Sequence, residues 1–157
     1  MYRLSVGAGK VRHIGVSNFN RQLLSQAISL SAVPLVTNQF EYHPYLNQSL
    51  LVDATRKAGL SVTAYCVMAI GRVLLDPTLA EIPEDHGRTI PQVVLRWLIQ
   101  QGNIVALSRT TNPDRVVENL AVFDFELGEH EMVAIRTLAR PNSRIVNPHE
   151  LAPVWDP

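Results

Sequence analysis

The chain has 157 residues, with 14 Lys plus Arg balanced by 14 Asp plus Glu, for a formal net charge of +0. That balance gives no support for a general nucleic-acid or membrane-binding surface, although it leaves room for a local phosphate site. A single cysteine, Cys66, excludes an internal disulfide and fits a reducing compartment. With no secretory pattern and no bilayer-length apolar run, the expectation is one soluble, cytoplasmic domain spanning 1–157, bound to neither nucleic acid nor membrane.

In chain order, residues 1–6 read as a last helical turn or a short strand, broken at Gly7-Ala8-Gly9. The first clear strand covers 12–16 and stops at the polar pair Ser17-Asn18. Asn20 is a candidate N-cap for a helix whose apolar positions are Leu23, Leu24, Ala27 and Ile28. Pro34 precedes a second strand at 35–39, and Asn47 is the candidate cap of a helix burying Leu50, Leu51 and Ala54. Lys57 lies in that helix's last turn and Gly59 ends it, directly before a third strand at 61–66.

Asp76-Pro77 reads as a cap followed by Pro at the first helical position, and Pro83 should kink or end that helix. Thr89-Ile90-Pro91-Gln92 has the pattern of a capping box, leading into an apolar face of Val93, Val94, Trp97 and Leu98 that Gly102 closes. The fourth strand, 104–107, is apolar on both faces, as expected of a strand covered on both sides. Asn112-Pro113 opens the next helix, Glu129-His130-Glu131 the last, and 140–157 form a C-terminal loop or tail. Four strand–helix units, each ending in hydrogen-bonding side chains, suit a site at the carboxyl ends of parallel strands. A complete (β/α)8 barrel needs roughly 250 residues. The fold class is therefore α/β, a partial TIM barrel of four parallel βα units, with a small open four-stranded sheet as the geometric alternative.

Several motifs then carry a resemblance. Gly-Lys-Val-Arg-His-Ile-Gly-Val-Ser-Asn-Phe at 9–19, Asn-Gln-Phe-Glu-Tyr-His-Pro at 38–44 and Ala-Tyr at 64–65 occur in order. Arg115-x-x-Glu118-Asn119 and Leu-Ala-Pro-Val-Trp-Asp at 151–156 follow. With these, the chain resembles the C-terminal half of an aldo/keto reductase, near the bacterial 2,5-diketo-gluconate reductase B type, and its units would be the second half of the barrel. The resemblance implies NADP(H) as cofactor and small aldehydes or ketones as substrates. It places Ser17, Asn18 and Gln39 on the nicotinamide carboxamide, whose amide and carbonyl need both donors and acceptors. Tyr65 would stack on the nicotinamide ring, and the loop Met68-Ala69-Ile70-Gly71 would follow the pyrophosphate. Arg109 and Thr110 stand where the family has Lys-Ser at the 2′-phosphate, Arg115 would complete that clamp, and Glu118 and Asn119 would address the adenine.

Each of these residues also has a plain structural reading. Ser17-Asn18 can be a helix entry, Tyr65 a core residue, and Arg115, Glu118 and Asn119 solvated helix neighbours. Cys66 stands where the family usually has Ser and lacks a base pattern, so it reads as a small core-edge residue. His13, His43 and His130 form no metal-ligand pattern. Ser108 replaces the usual Pro, and Gly128 replaces a Ser/Thr cap, which should weaken the last helix slightly. The family's acid Tyr and its Asp, Lys and His partners have no counterpart here, and Tyr2, Tyr42 and Tyr45 do not replace them by spacing. The alternatives are a non-catalytic nucleotide-binding or scaffold half-barrel, or a truncated product. Open sheet edges imply a homodimer or association with a missing N-terminal half.

Overall fold

A computed structural model describes residues 6–150 and 152–156. The expectation for 1–6 lies almost wholly outside the described residues, as do Tyr2 and Leu151. Four strands, β1 (Ile14–Ser17), β2 (Leu35–Glu41), β3 (Ser61–Tyr65) and β4 (Ile104–Ala106), form one parallel sheet in the order β1-β2-β3-β4. The helices whose bounds lie within the described residues are α1 (Arg21–Leu30), α2 (Ser49–Lys57), α3 (Pro77–His86), α4 (Ile90–Gln100), α5 (Pro113–Leu120) and α6 (Glu129–Arg136). A 3₁₀ segment, Ala69–Leu75, follows β3. Among the described residues, no helix is long and apolar enough to cross a membrane. The chain resolves into two compact units, to both of which β2 and β3 contribute residues.

The first unit comprises 1–40, 48–63 and 147–157. Asn20 caps α1 as expected, its Oδ1 accepting from the Leu23 N–H at 2.8 Å. α2 starts one residue later than the Asn47 cap implies, with Gln48 at the N-cap. Its buried face is Leu51, Val52 and Thr55, while Leu50 is 46% exposed, so the face is rotated from the expected one. Thr55 makes this workable by returning its hydroxyl to the Leu51 carbonyl at 2.8 Å, which satisfies a buried polar group within the helix. Phe40 and Val62 are fully buried in this unit.

The second unit comprises 41–47 and 64–146. Asp76 caps α3 through Oδ1, which accepts from the N–H groups of Thr78 at 3.0 Å and Leu79 at 3.3 Å. Of the two outcomes expected at Pro83, a kink or an end, the structure rules out the end: the helix runs to His86. Only the proline's own missing N–H is lost. The Pro83 carbonyl accepts from Arg88 at 3.0 Å, and Gly87, with φ 60, terminates the helix in the left-handed region. α4 is the most buried helix, with Trp97 and Leu98 enclosed, and its Gln92 side chain accepts from the Thr89 N–H at 3.0 Å. α6 packs on α3, and Gly128 at its N-cap gives its own N–H to Glu131 at 2.5 Å. The fourth strand is shorter than expected and not covered on both faces: Val105 is 52% and Leu107 46% exposed. Apolar composition on both faces therefore signals a face in need of cover rather than one already covered.

Candidate functional site

The expected site residues fall into separate groups, each built by its own local structure. In the first unit, β1 and β2 run parallel with Val16 opposite Asn38 and Ser17 opposite Gln39. The register slips between Ile14 and Val16, a bulge that sets two β2 residues against Gly15. Gly15 is required there, because a Cβ would lie 2.5 Å from Thr37 Cγ2 and 2.8 Å from the Thr37 carbonyl oxygen. The strand ends are then tied together. Asn18 takes φ 57, tolerable for Asn, and its N–H donates to the Gln39 carbonyl at 2.7 Å. Ser17 Oγ donates to the same carbonyl at 3.2 Å. Ser17, Asn18 and Gln39 are thus brought together. Beside them, buried Asn38 donates from Nδ2 to the Phe19 carbonyl at 2.9 Å, fixing the turn after β1.

In the second unit, Tyr65 is the last residue of β3 and is half-buried; its carbonyl accepts from the Tyr42 N–H at 3.1 Å. The chain then makes a strained turn. Cys66, Ala69 and Ile70 take φ values of 56, 47 and 56, followed by Gly71 at 82. Left-handed backbone at three non-glycine residues persists only where the surrounding structure holds it. The holding bonds are Ala69 N–H to the Cys66 carbonyl and Gly71 N–H to the Met68 carbonyl, both 2.8 Å. A Cβ on Gly71 would meet nothing within 4 Å, so this face of the loop is open. Burial pushes the Cys66 thiol up from its ordinary pKa, and the negative charge of Glu41 adds to that. An unactivated thiol accords with its reading as a core-edge residue.

Arg109 and Arg115 are exposed, and α5 buries none of its residues. Thr110 Oγ1 accepts from the Asn112 N–H at 3.1 Å, and Asn112 Oδ1 from the Asp114 N–H at 2.9 Å, so Thr110 helps shape the entry to α5. Glu118 and Asn119 have local partners as well. Thr89 Oγ1 donates to Glu118 Oε1 at 2.5 Å, and Asn119 Nδ2 to Ser108 Oγ at 3.2 Å. The second contact ties α5 to the loop carrying Arg109.

Sequence reasoning passed over a second cluster in this unit. Glu41 and His43 are both fully buried, and His43 Nε2 lies 3.0 Å from Glu41 Oε1. Burial alone would push the Glu41 carboxyl up, but hydrogen bonds from His43 and from the Ile145 and Val146 N–H groups outweigh it, holding it below its ordinary pKa. The available signal was a carboxylate at the end of a strand, directly after the core residue Phe40; once buried there it demands partners. Tyr42 Oη donates to Gln101 Oε1 at 2.8 Å and Tyr45 Oη to Asp76 Oδ2 at 3.0 Å. Among the described residues, no group of three or more His, Cys, Asp or Glu could hold a metal ion.

Comparison with known proteins gives this geometry a context. The profile of the aldo/keto reductase family matches residues 5–140. An aldo-keto reductase of Mycobacterium sp. (strain MCS) is 44% identical over 130 residues, covering 83% of this chain and 46% of that protein. The methylglyoxal reductase DkgB of Yersinia pestis is 40% identical over 151 residues, covering 96% of this chain and 56% of the relative. A crystal structure provisionally named as a 2,5-diketo-D-gluconic acid reductase B superposes with a TM-score of 0.96 at 52% identity, over 98% of this chain and 55% of that one. A mutant form of Gox0644 in complex with NADPH gives a TM-score of 0.87 at 35% identity, over 92% and 53% of the two chains. The chain spans about half the length of the relatives it matches.

Proposed function

The chain belongs to the aldo/keto reductase family, and from that premise we propose that it is the cofactor-binding C-terminal half of an NADP(H)-dependent reductase of small aldehydes or ketones. Its 157 residues would form one half-barrel domain. The observation that carries this reading is the pairing of Ser17 and Asn18 on the Gln39 carbonyl, at 3.2 and 2.7 Å. It fixes three amide- and hydroxyl-bearing residues side by side, at the end of β1 and opposite it on β2, a donor and acceptor set suited to a carboxamide. The relative crystallised with NADPH supports the choice of cofactor.

The residues present fit such a dinucleotide chemically. Ser17, Asn18 and Gln39 would hold the nicotinamide amide, and Tyr65 would present a ring face to it. The open face at Gly71 with Met68 would follow the pyrophosphate. The exposed guanidinium groups of Arg109 and Arg115, with Thr110, would take the 2′-phosphate. Glu118 and Asn119 would lie by the adenine, the first held by Thr89 and the second by Ser108. NADPH supplies a hydride when bound. A carbonyl reduction also needs a proton for the developing alkoxide. Tyr42 and Tyr45 do not match the family's acid by spacing, and their hydroxyls are engaged with Gln101 and Asp76, so the proposal takes the acid from outside this chain. The reading therefore takes the acid from a missing N-terminal half; that half, or for edge pairing alone a second copy of this chain, would lie against the open edges of β1 and β4.

Calorimetric titration of NADPH into the purified chain, with NADH as control, tests the proposal. Binding that favours NADPH supports it. A folded chain that binds neither nucleotide overturns it in favour of a scaffold role.

A further inference from the structure

The most heavily engaged buried charge in the second unit lies outside the expected cofactor set. Glu41 is fully buried, and its two oxygens divide their partners. Oε1 accepts from the Ile145 N–H at 2.7 Å and faces His43 Nε2 at 3.0 Å; Oε2 accepts from the Val146 N–H at 2.8 Å and lies 4.0 Å from Arg144 Nη1. Two consecutive backbone amides more than a hundred positions along the chain thus converge on one carboxylate. The loop that follows Glu41, between β2 and α2, grips the segment at its other end, where the Tyr45 carbonyl accepts from the Arg140 N–H at 3.0 Å. A carboxylate removed from water is costly unless charge-assisted bonds replace hydration, and these donors do so.

Irregular chain such as 140–146 carries no ladder of its own to define its path, so the Glu41 bonds define it. We propose that Glu41 is a positioning residue: its ionised side chain fixes the backbone of Arg144–Val146 and thereby the start of the C-terminal tail. The role is conformational: Glu41 would set where the tail leaves this unit without touching cofactor. His43 holds the carboxylate in orientation, and Arg144 adds its charge to the same side. The charged and titratable groups facing this cluster are His43, Arg144, Cys66 and Tyr65.

The test is residue-resolved amide exchange on the purified chain, in wild type and E41Q, over a pH series. Gln presents one acceptor oxygen and turns an NH2 donor toward an N–H donor. Protection at Ile145 and Val146 should fall about ten- to hundredfold in E41Q, while amides of α4 keep theirs. In wild type, with no variant to fold, protection at the same two amides should be full above the ordinary carboxylate range. Because the folded carboxyl sits below its ordinary pKa, that protection should fade as pH drops through the lower value, and E41Q should lack this transition. Protection that is equal in both proteins and flat with pH overturns the proposal. NADPH titration of the wild-type sample judges the reductase reading separately. Failure to bind would overturn that reading and leave the exchange pattern to judge Glu41.

Discussion

Asp76 serves Tyr45 and helix α3 at once: Oδ2 accepts the Tyr45 hydroxyl at 3.0 Å, while Oδ1 caps the Thr78 and Leu79 N–H groups. Burial and then the Asp76 bond and charge push the Tyr45 phenol up to about 12. A raised folded pKa means the native state holds this proton more tightly. The associated stability is therefore complete below the ordinary phenol value of 10.0 and is lost as pH rises towards about 12. Spectrophotometric titration of D76A should show the Tyr45 transition returning towards its ordinary value. Loss of the cap should lower stability by about 0.5–2 kcal/mol in urea denaturation. An unmoved phenol transition would show that Asp76 does not govern Tyr45.

Gly15 should tolerate no side chain. A Cβ would meet both Thr37 Cγ2 and the Thr37 carbonyl, and backbone cannot withdraw as a flexible side chain can. G15A should cost about 1–3 kcal/mol in denaturant titration, the range expected for overpacking. T37S in the G15A background should recover only part of that, because the carbonyl contact remains.

The two exposed arginines separate the nucleotides. If the 2′-phosphate is their ligand, R109A and R115A should each weaken NADPH binding about tenfold or more while leaving NADH binding nearly unchanged. The NADPH affinity should also fall with added salt. Equal losses for both nucleotides would place the arginines elsewhere on the cofactor, or show a general loss of structure.

Helix α5 provides the contrast. Val117 is 71% and Leu120 65% exposed, so V117Q and L120Q should change stability by only about ±0.5 kcal/mol. The deeply buried Leu98 should behave oppositely, with L98A costing about 2–5 kcal/mol. Thermal melts of the three variants distinguish a solvated α5 face from one covered by a second copy of the chain, which would make V117Q and L120Q costly too.

Local chemistry was legible from the chain alone. Asn20, Asp76 and Asn112 cap the helices they were expected to cap, because an N-cap bond spans only two or three residues and needs no tertiary partner. The four strands followed from the alternation of short apolar runs with helical spacing, although β2 runs two residues past the expected end at Gln39, to Glu41, and the quoted motifs led to the family. What depended on distant chain was not legible. The buried face of α2 turned on which side met other elements, so Leu50 lies out and Val52 in. Glu41 gained its role from Ile145 and Val146, which no local rule brings to it. Capping and periodicity are set by neighbours in sequence. The partners of a buried charge are set by the path of the whole chain, and only the tertiary structure supplies that.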